Sequence, residues 1–459
     1  MFRKRSHYDL NITSGPMARS VMAYAMPVFL SGVLQLLFNA ADSIVVGQYA
    51  GSQALAAVSS TGTINGLLVC LFLGLSSGAS ILVSRFIGAR EYKNVQDTVH
   101  TSVLIALLSG ILLAIAGCLL AHPMLRLLDT PDDVIDLAAL YLQIIFLGMP
   151  LQMIYNFCSA ILRSVGDTKR PLYFLTTSGV INVILNLIFV IVFKMSVAGV
   201  ALATVLAQAV STALVVRSLT LREDATRLFF RKLRIHPRIM LKILHLGLPA
   251  GIQSATFSIS GMLIQSSINS FGSLAMAGIG AATSISGFVQ HSLDAFSQAN
   301  TVFVSQNFGA RKPQRILRAI YTCTALSMVF VITFSLLTII FGRQLLALYV
   351  DDPATIEWGM IRIIYISVPY FLGAIQAIFN GALRGIGYSI LSMSISLVCI
   401  CGVRVVWLYT AFAAYPTMEC LMSSYGVSWV FTSIASIVCF FSLYKRLCKN
   451  YTPEELAQR

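Results

Sequence analysis

The chain has 459 residues, of which 57% are hydrophobic and only 11% charged, with a formal net charge of +14. Charged residues make up about 25% of an ordinary soluble domain, so this composition excludes a soluble globular enzyme and points to lipid as the solvent. Nine cysteines, an odd number, include Cys70, Cys118, Cys158 and Cys439 inside apolar runs and show no Cys-x-x-Cys spacing. They read as small hydrophobes rather than disulfides or zinc ligands.

A helix needs about 20 apolar residues to cross hydrocarbon. Cutting the chain at its polar punctuation predicts twelve such helices, over 18–46, 54–84, 98–121, 134–162, 171–194, 198–217, 243–270, 274–304, 318–341, 354–383, 388–411 and 424–444. The first follows a short basic tail without a processing site, so it reads as a membrane helix and not a cleaved leader. Within it, Asp42 is the only charged residue between Arg19 and Arg85. Gln35, Asn39 and Asp42 are spaced i, i+4, i+7 and share one helix face. An ionisable residue at membrane depth is by default a candidate for an ion pathway. The plainer alternative is an interfacial residue, since Asp42 stands about 35 Å along the helix from Arg19 at 1.5 Å per residue.

The fifth predicted helix carries Asn182 and Asn186 at i, i+4, and the sixth carries Thr204. Carboxylate, amide and hydroxyl oxygens suit a weakly held sodium ion, and equally the hydrogen-bond partners of a protonated acid. Simple interhelical amide bonds are the structural alternative. A basic stretch over 218–242 follows. In the seventh helix the polar residues are Gln253 and Gln265, while aligning Pro249 with Pro27 sets the apolar Ile264 against Asp42. The eighth holds a different acid, Asp294, with His291 three residues earlier, a pair able to relay protons, attract a cation or simply satisfy each other. Arg362 and Arg404 fall near predicted helix ends and are expected to snorkel to the interface. Pro27, Pro150, Pro249 and Pro369 would permit kinks.

Lysine and arginine are retained on the cytoplasmic side. Starting inside and alternating puts 27 of the 32 basic residues on one face, leaving Arg126, Lys194, Arg343, Arg362 and Arg404. The opposite loops collect Asp129, Asp132, Asp133, Asp351 and Asp352. The charge therefore orients the chain, with both termini cytoplasmic, and nucleic acid is excluded as a partner. Sliding the chain by 221 residues superposes "GSQALAAVSSTGTING" (51–66) on "GSLAMAGIGAATSISG" (272–287), Ser84 and "GAR" (88–90) on Ser305 and "GAR" (309–311), and Leu162, Arg163 and Gly166 on Leu383, Arg384 and Gly387. The expected architecture is an all-α integral membrane protein, twelve transmembrane helices in two parallel six-helix lobes over 1–217 and 243–459, joined by the linker 218–242. An even helix number per half makes the repeats parallel, as in some secondary transporters.

The opening "TSGPMARSVMAYAMPVFLSGVLQLLFNAADSIVVGQYAG", the repeated Ser-x-x-x-Gly-Ala-Arg loops, "LRSVGDTKRP" and "VAGVALAT" resemble the multidrug and toxic compound extrusion (MATE) transporters over essentially the whole chain. The major facilitator superfamily is also six plus six, but "SRFIGAREYKN" lacks the acid its corresponding loop usually carries. The resemblance implies export of cationic, often aromatic, amphiphiles in exchange for protons or sodium. It also implies that Asp42, just ahead of the Val-Gly, is the coupling acid. Family members often have Asn then Asp at the fifth-helix positions; Asn186 departs from this, which weakens a sodium site and favours protons. The expected ion-coupling set is thus Asp42, Asn182, Asn186 and Thr204, and the expected substrate cavity draws on Gln35, Asn39, Gln253, Gln265, His291 and Asp294. No Walker loop or Ser-His-Asp pattern occurs, so neither ATP nor enzymatic catalysis nor a bound cofactor is expected, and the driving force would be an ion gradient. A monomer in the cell (inner) membrane is the expected working unit. The rival readings are a lipid-linked saccharide flippase, which would need a strongly cationic cavity that the sparse intramembrane charge argues against, and a non-transport membrane protein.

Overall fold

The computed structural model of the chain describes residues 10–127 and 130–449, with side chains left out at 52, 55, 59, 60, 63, 64, 67, 68, 132 and 133. Arg3, Lys4, Arg5, Asp129 and Arg459, and the side chains of Asp132 and Asp133, lie outside the described set. No strand occurs among the described residues. The helices are α1 (Met17–Val45), α2 (Ser52–Gly88), α3 (Tyr92–Leu127), α4 (Asp132–Leu147), α5 (Met149–Ser164), α6 (Lys169–Leu187), α7 (Ser196–Thr220) and α8 (Pro237–Asn269). They continue as α9 (Ser273–Gly309), α10 (Pro313–Ile340), α11 (Gly342–Leu346), α12 (Pro353–Ser367), α13 (Tyr370–Gly385), α14 (Ser389–Ser396), α15 (Val403–Trp407) and α16 (Met418–Cys448).

Eight stretches of helix are long and apolar enough to cross a membrane, and the bent pairs α4–α5 and α12–α13 raise the number to ten. The more polar α8 and α9, rich in Ser, Thr and Gln, complete the twelve expected. Both bends measure 48°. They fall at Gly148-Met149-Pro150 and Val368-Pro369, where a proline removes a backbone donor and disturbs the preceding turn. Pro27 and Pro249 lie inside α1 and α8.

The sequence repeat is also a backbone repeat. Left-handed conformations recur at the same offset of 221: Gly51 (φ 90°) and Gly272 (94°), Arg90 (60°) and Arg311 (56°), Gly166 (91°) and Gly387 (102°). A left-handed non-glycine residue is costly unless its surroundings hold it, so two arginines in this state at matched places mark one turn used twice. Matched serines fix matched helices: Ser84 Oγ donates to Ser164 O at 3.4 Å and Ser305 Oγ to Gly385 O at 3.2 Å.

The chain divides into two compact units, one containing Leu30–Gly251 and the other Asn11–Phe29 together with the chain from Ile252. Both divisions run through a helix, α1 or α8. In the first unit the reason is visible in glycines. A Cβ at Gly78 would lie 2.6 Å from Gly247 N, and Gly74 meets Gly251 just as closely. Small residues let membrane helices approach backbone to backbone, where dispersion substitutes for the missing hydrophobic drive. The linker is held to the same unit: Phe229 N donates to His100 Nε2 at 3.1 Å and His236 N to Thr101 Oγ1 at 3.2 Å. In the second unit, Arg315 Nη2 donates to Ile12 O and Gly15 O, each at 3.3 Å, and the Tyr24 and Phe303 rings pack edge to face at 5.9 Å.

Candidate functional site

In the first unit α1, α6 and α7 bring four of the expected residues together. Gly179 of α6 leaves a gap that the Phe38 ring fills; any Cβ there would overlap the ring. One turn beyond this contact, Asp42 faces Asn186. Asn186 Nδ2 donates to Asp42 Oδ1 and, at 3.4 Å, to Asn182 Oδ1. Asn182 Nδ2 donates to Thr204 Oγ1 at 3.3 Å, and the Thr204 hydroxyl gives its proton to Val200 O at 2.9 Å. Asn186 is fully buried and Asn182 nearly so. Its other amide atom, Asn186 Oδ1, is buried without a hydrogen-bond partner.

That orphan oxygen is the informative feature. A buried acceptor left unpaired costs about 1–3 kcal/mol, and either of two kinds of partner would relieve it, a donor or a cation. A proton on Asp42 would supply one, and a sodium ion among the carboxylate, two amide oxygens and a hydroxyl would supply the other. Helices α1 and α6 both pass into π-helical turns directly after these residues, at Val46–Ala50 and Ile188–Val192. Such turns are frequent at functional sites because they break the regular ladder.

Gln35 and Asn39 are not part of this cluster. Both are exposed, while Asp42 on the same face of α1 meets the amides.

The second unit contains a cavity of about 440 Å³, within the range of small-ligand pockets, about 300–1,000 Å³. Gln253 and Asp294 line it; Gln265 and His291 do not. Gln265 is exposed and donates to Asn269 Oδ1 at 3.0 Å. The expected His291–Asp294 pair does not form: Asp294 accepts instead from Gln290 Nε2 at 3.0 Å, and Gln290 accepts from the Tyr370 hydroxyl at 3.0 Å.

Three arginines that the sequence placed elsewhere also line this cavity: Arg362, Arg384 and Arg404. Arg404, expected to snorkel, is only 7% exposed. Its Nε donates to Ser428 Oγ and its Nη1 to Ser260 Oγ, each at 3.2 Å, and its Cζ lies 4.0 Å from the centre of the Tyr425 ring. Arg362 stands 5.8 Å from that same ring. Snorkelling fails because neighbouring helices offer hydroxyls and an aromatic face that replace water for the guanidinium. Arg384, one of the 27 basic residues that the sequence assigns to cytoplasmic connections, lies inside α13 and donates to Gln253 Oε1 at 3.1 Å. Serines inside α8 and α16, in "FSIS" (257–260) and "SSYGVS" (423–428), were the available signal for a buried partner of Arg404. No cluster of three or more His, Cys, Asp or Glu suited to a metal occurs among the described residues.

The MatE family pattern matches residues 27–188 and 249–410, once in each half. The chain is 28% identical over 434 residues to the probable multidrug resistance protein YpnP of Bacillus subtilis, covering 94% of this chain and 96% of that one. It is 25% identical over 447 residues to an FAD transporter of Shewanella oneidensis, covering 95% and 96%. Its fold matches an outward-facing multidrug resistance MATE transporter of the MOP superfamily with a TM-score of 0.90 at 20% identity, over 97% of this chain and all of that one. With the pattern present in both halves and the twelve-helix, two-lobe fold shared, this chain belongs to the MatE family of membrane transporters.

Proposed function

We propose that the chain is a secondary antiporter of the cell membrane that exports small amphiphilic compounds in exchange for protons, with Asp42 as the group that carries the ion. The observation supporting this is the meeting of Asp42, Asn182, Asn186 and Thr204 from three helices around an unpaired buried oxygen. Protonated Asp42 has a hydrogen to give to Asn186 Oδ1, and ionised Asp42 does not. Loading and unloading therefore change how α1 is tied to α6, which is the change an exchanger needs at its ion site. Sodium is the second candidate ion. The single carboxylate favours protons, because charge count strengthens cation binding and Asn186 contributes none. A monomer with both termini cytoplasmic completes the reading.

Drugs are the first cargo to test, in line with the multidrug resistance proteins among the relatives, and cationic amphiphiles are the class that the sequence resemblance implies. A second reading is carried by the three cavity arginines: an anionic cargo, in line with the FAD transporter among the relatives. The same arginines remove the objection that intramembrane charge is too sparse for a lipid-linked saccharide flippase.

Ethidium efflux from cells stripped of their own pumps tests the first reading, comparing wild type with Asp42→Asn at matched expression, with and without a protonophore. Uncoupler-sensitive efflux that disappears in the variant supports ion exchange at Asp42. Undiminished efflux by Asp42→Asn would remove Asp42 from that role. Absence of efflux from wild type would discard the cationic cargo.

A further inference from the structure

We infer that the cavity of the second unit is a binding site for an aromatic organic anion, a phosphate or carboxylate borne on a flat ring system, seated by Arg362, Arg384 and Arg404. The charge argument comes first. Three guanidinium groups and one carboxylate, Asp294, line one partly open cavity. None of the three arginines forms an ion pair among the described residues. Two of them share the Tyr425 ring, at 4.0 and 5.8 Å, so like charges are held close together in a medium that screens poorly. Such an arrangement is expensive to maintain in lipid without a counter-charge.

Unused donors give a second, independent indication. Arg362 makes only a long Nη1 contact of 3.9 Å to Met422 Sδ, leaving its planar fork of donors open. Guanidinium forks match carboxylate and phosphate oxygens in pairs. The wall also supplies ring surface: Tyr370 and Trp429 pack with centroids 5.1 Å apart, and Tyr425 and Trp429 at 6.1 Å. Aromatic walls beside a guanidinium cluster suit a flat body with an anionic tail. A cationic drug would meet a net repulsion instead.

The floor of the cavity keeps one arginine in place. Arg384 holds Gln253 Oε1 at 3.1 Å, and the Gln253 amide in turn donates to Ser396 Oγ. Asn380 Nδ2 reaches the same serine at 3.3 Å, and Ser436 Oγ donates to Asn380 Oδ1 at 3.0 Å. This network holds Arg384 Nη1 in place before any ligand arrives, which reduces the ordering cost of binding.

The proposal rests on the transporter reading only in treating the bound compound as cargo; the binding itself needs no gradient. It is tested on the purified full chain in detergent by quenching of tryptophan fluorescence, with flavin mononucleotide, riboflavin and ethidium as probes. The first two differ by a single phosphate. Flavin mononucleotide should bind about tenfold or more tighter than riboflavin, the worth of one charge-assisted contact, and tighter than ethidium. Arg362→Gln should bring it to the riboflavin level, and Arg404→Gln likewise where that variant folds. Asp294→Asn should tighten it, a gain that structural damage would not produce, and Trp429→Phe should remove most of the quench. Equal affinity for the two flavins, preference for ethidium, or an unchanged phosphate preference in Arg362→Gln would overturn the proposal. Repeating the titration in nanodiscs separates a soluble anion from a lipid headgroup. Binding retained with and without phosphatidylglycerol supports the former, and loss specific to phosphatidylglycerol would overturn it in favour of the headgroup. Gradient-driven efflux that persists while binding fails would overturn this inference alone.

Discussion

Asn186 shows how one side chain sets the character of a site. Its amide nitrogen is shared between Asp42 and Asn182, and its oxygen is buried without a partner. Replacing it by aspartate would put a second carboxylate beside Asp42, and two carboxylates at such range cannot both ionise freely without a cation. Asn186→Asp is expected to make transport depend on sodium, read as efflux rates with sodium replaced by choline; rates indifferent to that replacement would contradict this. The spacing of Asn182 and Asn186 and the isolation of Asp42 were legible in sequence. The exposure of Gln35 and Asn39 was not, because helical spacing assigns a face without saying how far each of its residues is covered.

A second residue-scale prediction concerns the linker. Arg222 is 4% exposed and reaches both Asp167 Oδ2, at 3.4 Å, and Asp224. Burial alone would raise the Asp224 carboxyl, yet the hydrogen bonds and charge of Arg222, with Thr226, hold it below its ordinary value. A depressed native value means that the stabilisation is complete above the ordinary value of 3.8 and is lost as pH falls through the native one. Protease cleavage within 221–236 should therefore be insensitive to pH from neutral down to about 4 and rise only below that, whereas Asp224→Asn should show raised cleavage throughout.

At the scale of elements, close approach depends on missing side chains. Gly74, Gly78, Gly247 and Gly251 let α2 and α8 touch backbone to backbone. A Val at Gly78 has nowhere to go and should cost about 1–3 kcal/mol, visible as a lower melting temperature of the purified chain. Gly62 faces open space, and Gly62→Ala should leave melting unchanged. Gly179 is the equivalent position for the site: filling it with Leu displaces Phe38 and should abolish transport while membrane insertion persists. Twelve helical segments and the two proline bends were legible as apolar length and proline placement. The π-helical turns after Asp42 and Asn186 leave no mark in hydropathy, and neither does the capture of Arg404 by Ser260 and Ser428, which depends on partners 144 and 24 residues away.

For the whole molecule, the repeat at offset 221 was the strongest signal in the sequence, and the matched left-handed turns and the paired 48° bends show it in the backbone. The two halves have nonetheless diverged in charge. The matched family stretches begin at 27 and 249, an offset of 222, which sets Asp42 against Ile264 and Asn182 against Arg404. One unit thus carries a lone acid among amides, and the other carries arginines around a cavity. On the proposed reading, ion and cargo are handled by different halves of one duplicated design.

Ion movement triggered by cargo is the direct test of that account. Purified chain in proteoliposomes holding an imposed pH gradient should dissipate it when cargo, ethidium or flavin mononucleotide, is added, and Asp42→Asn should not, although it still binds cargo. A wild type that moves no ions with either compound, or a variant that moves them as fast as wild type, would contradict ion exchange at Asp42.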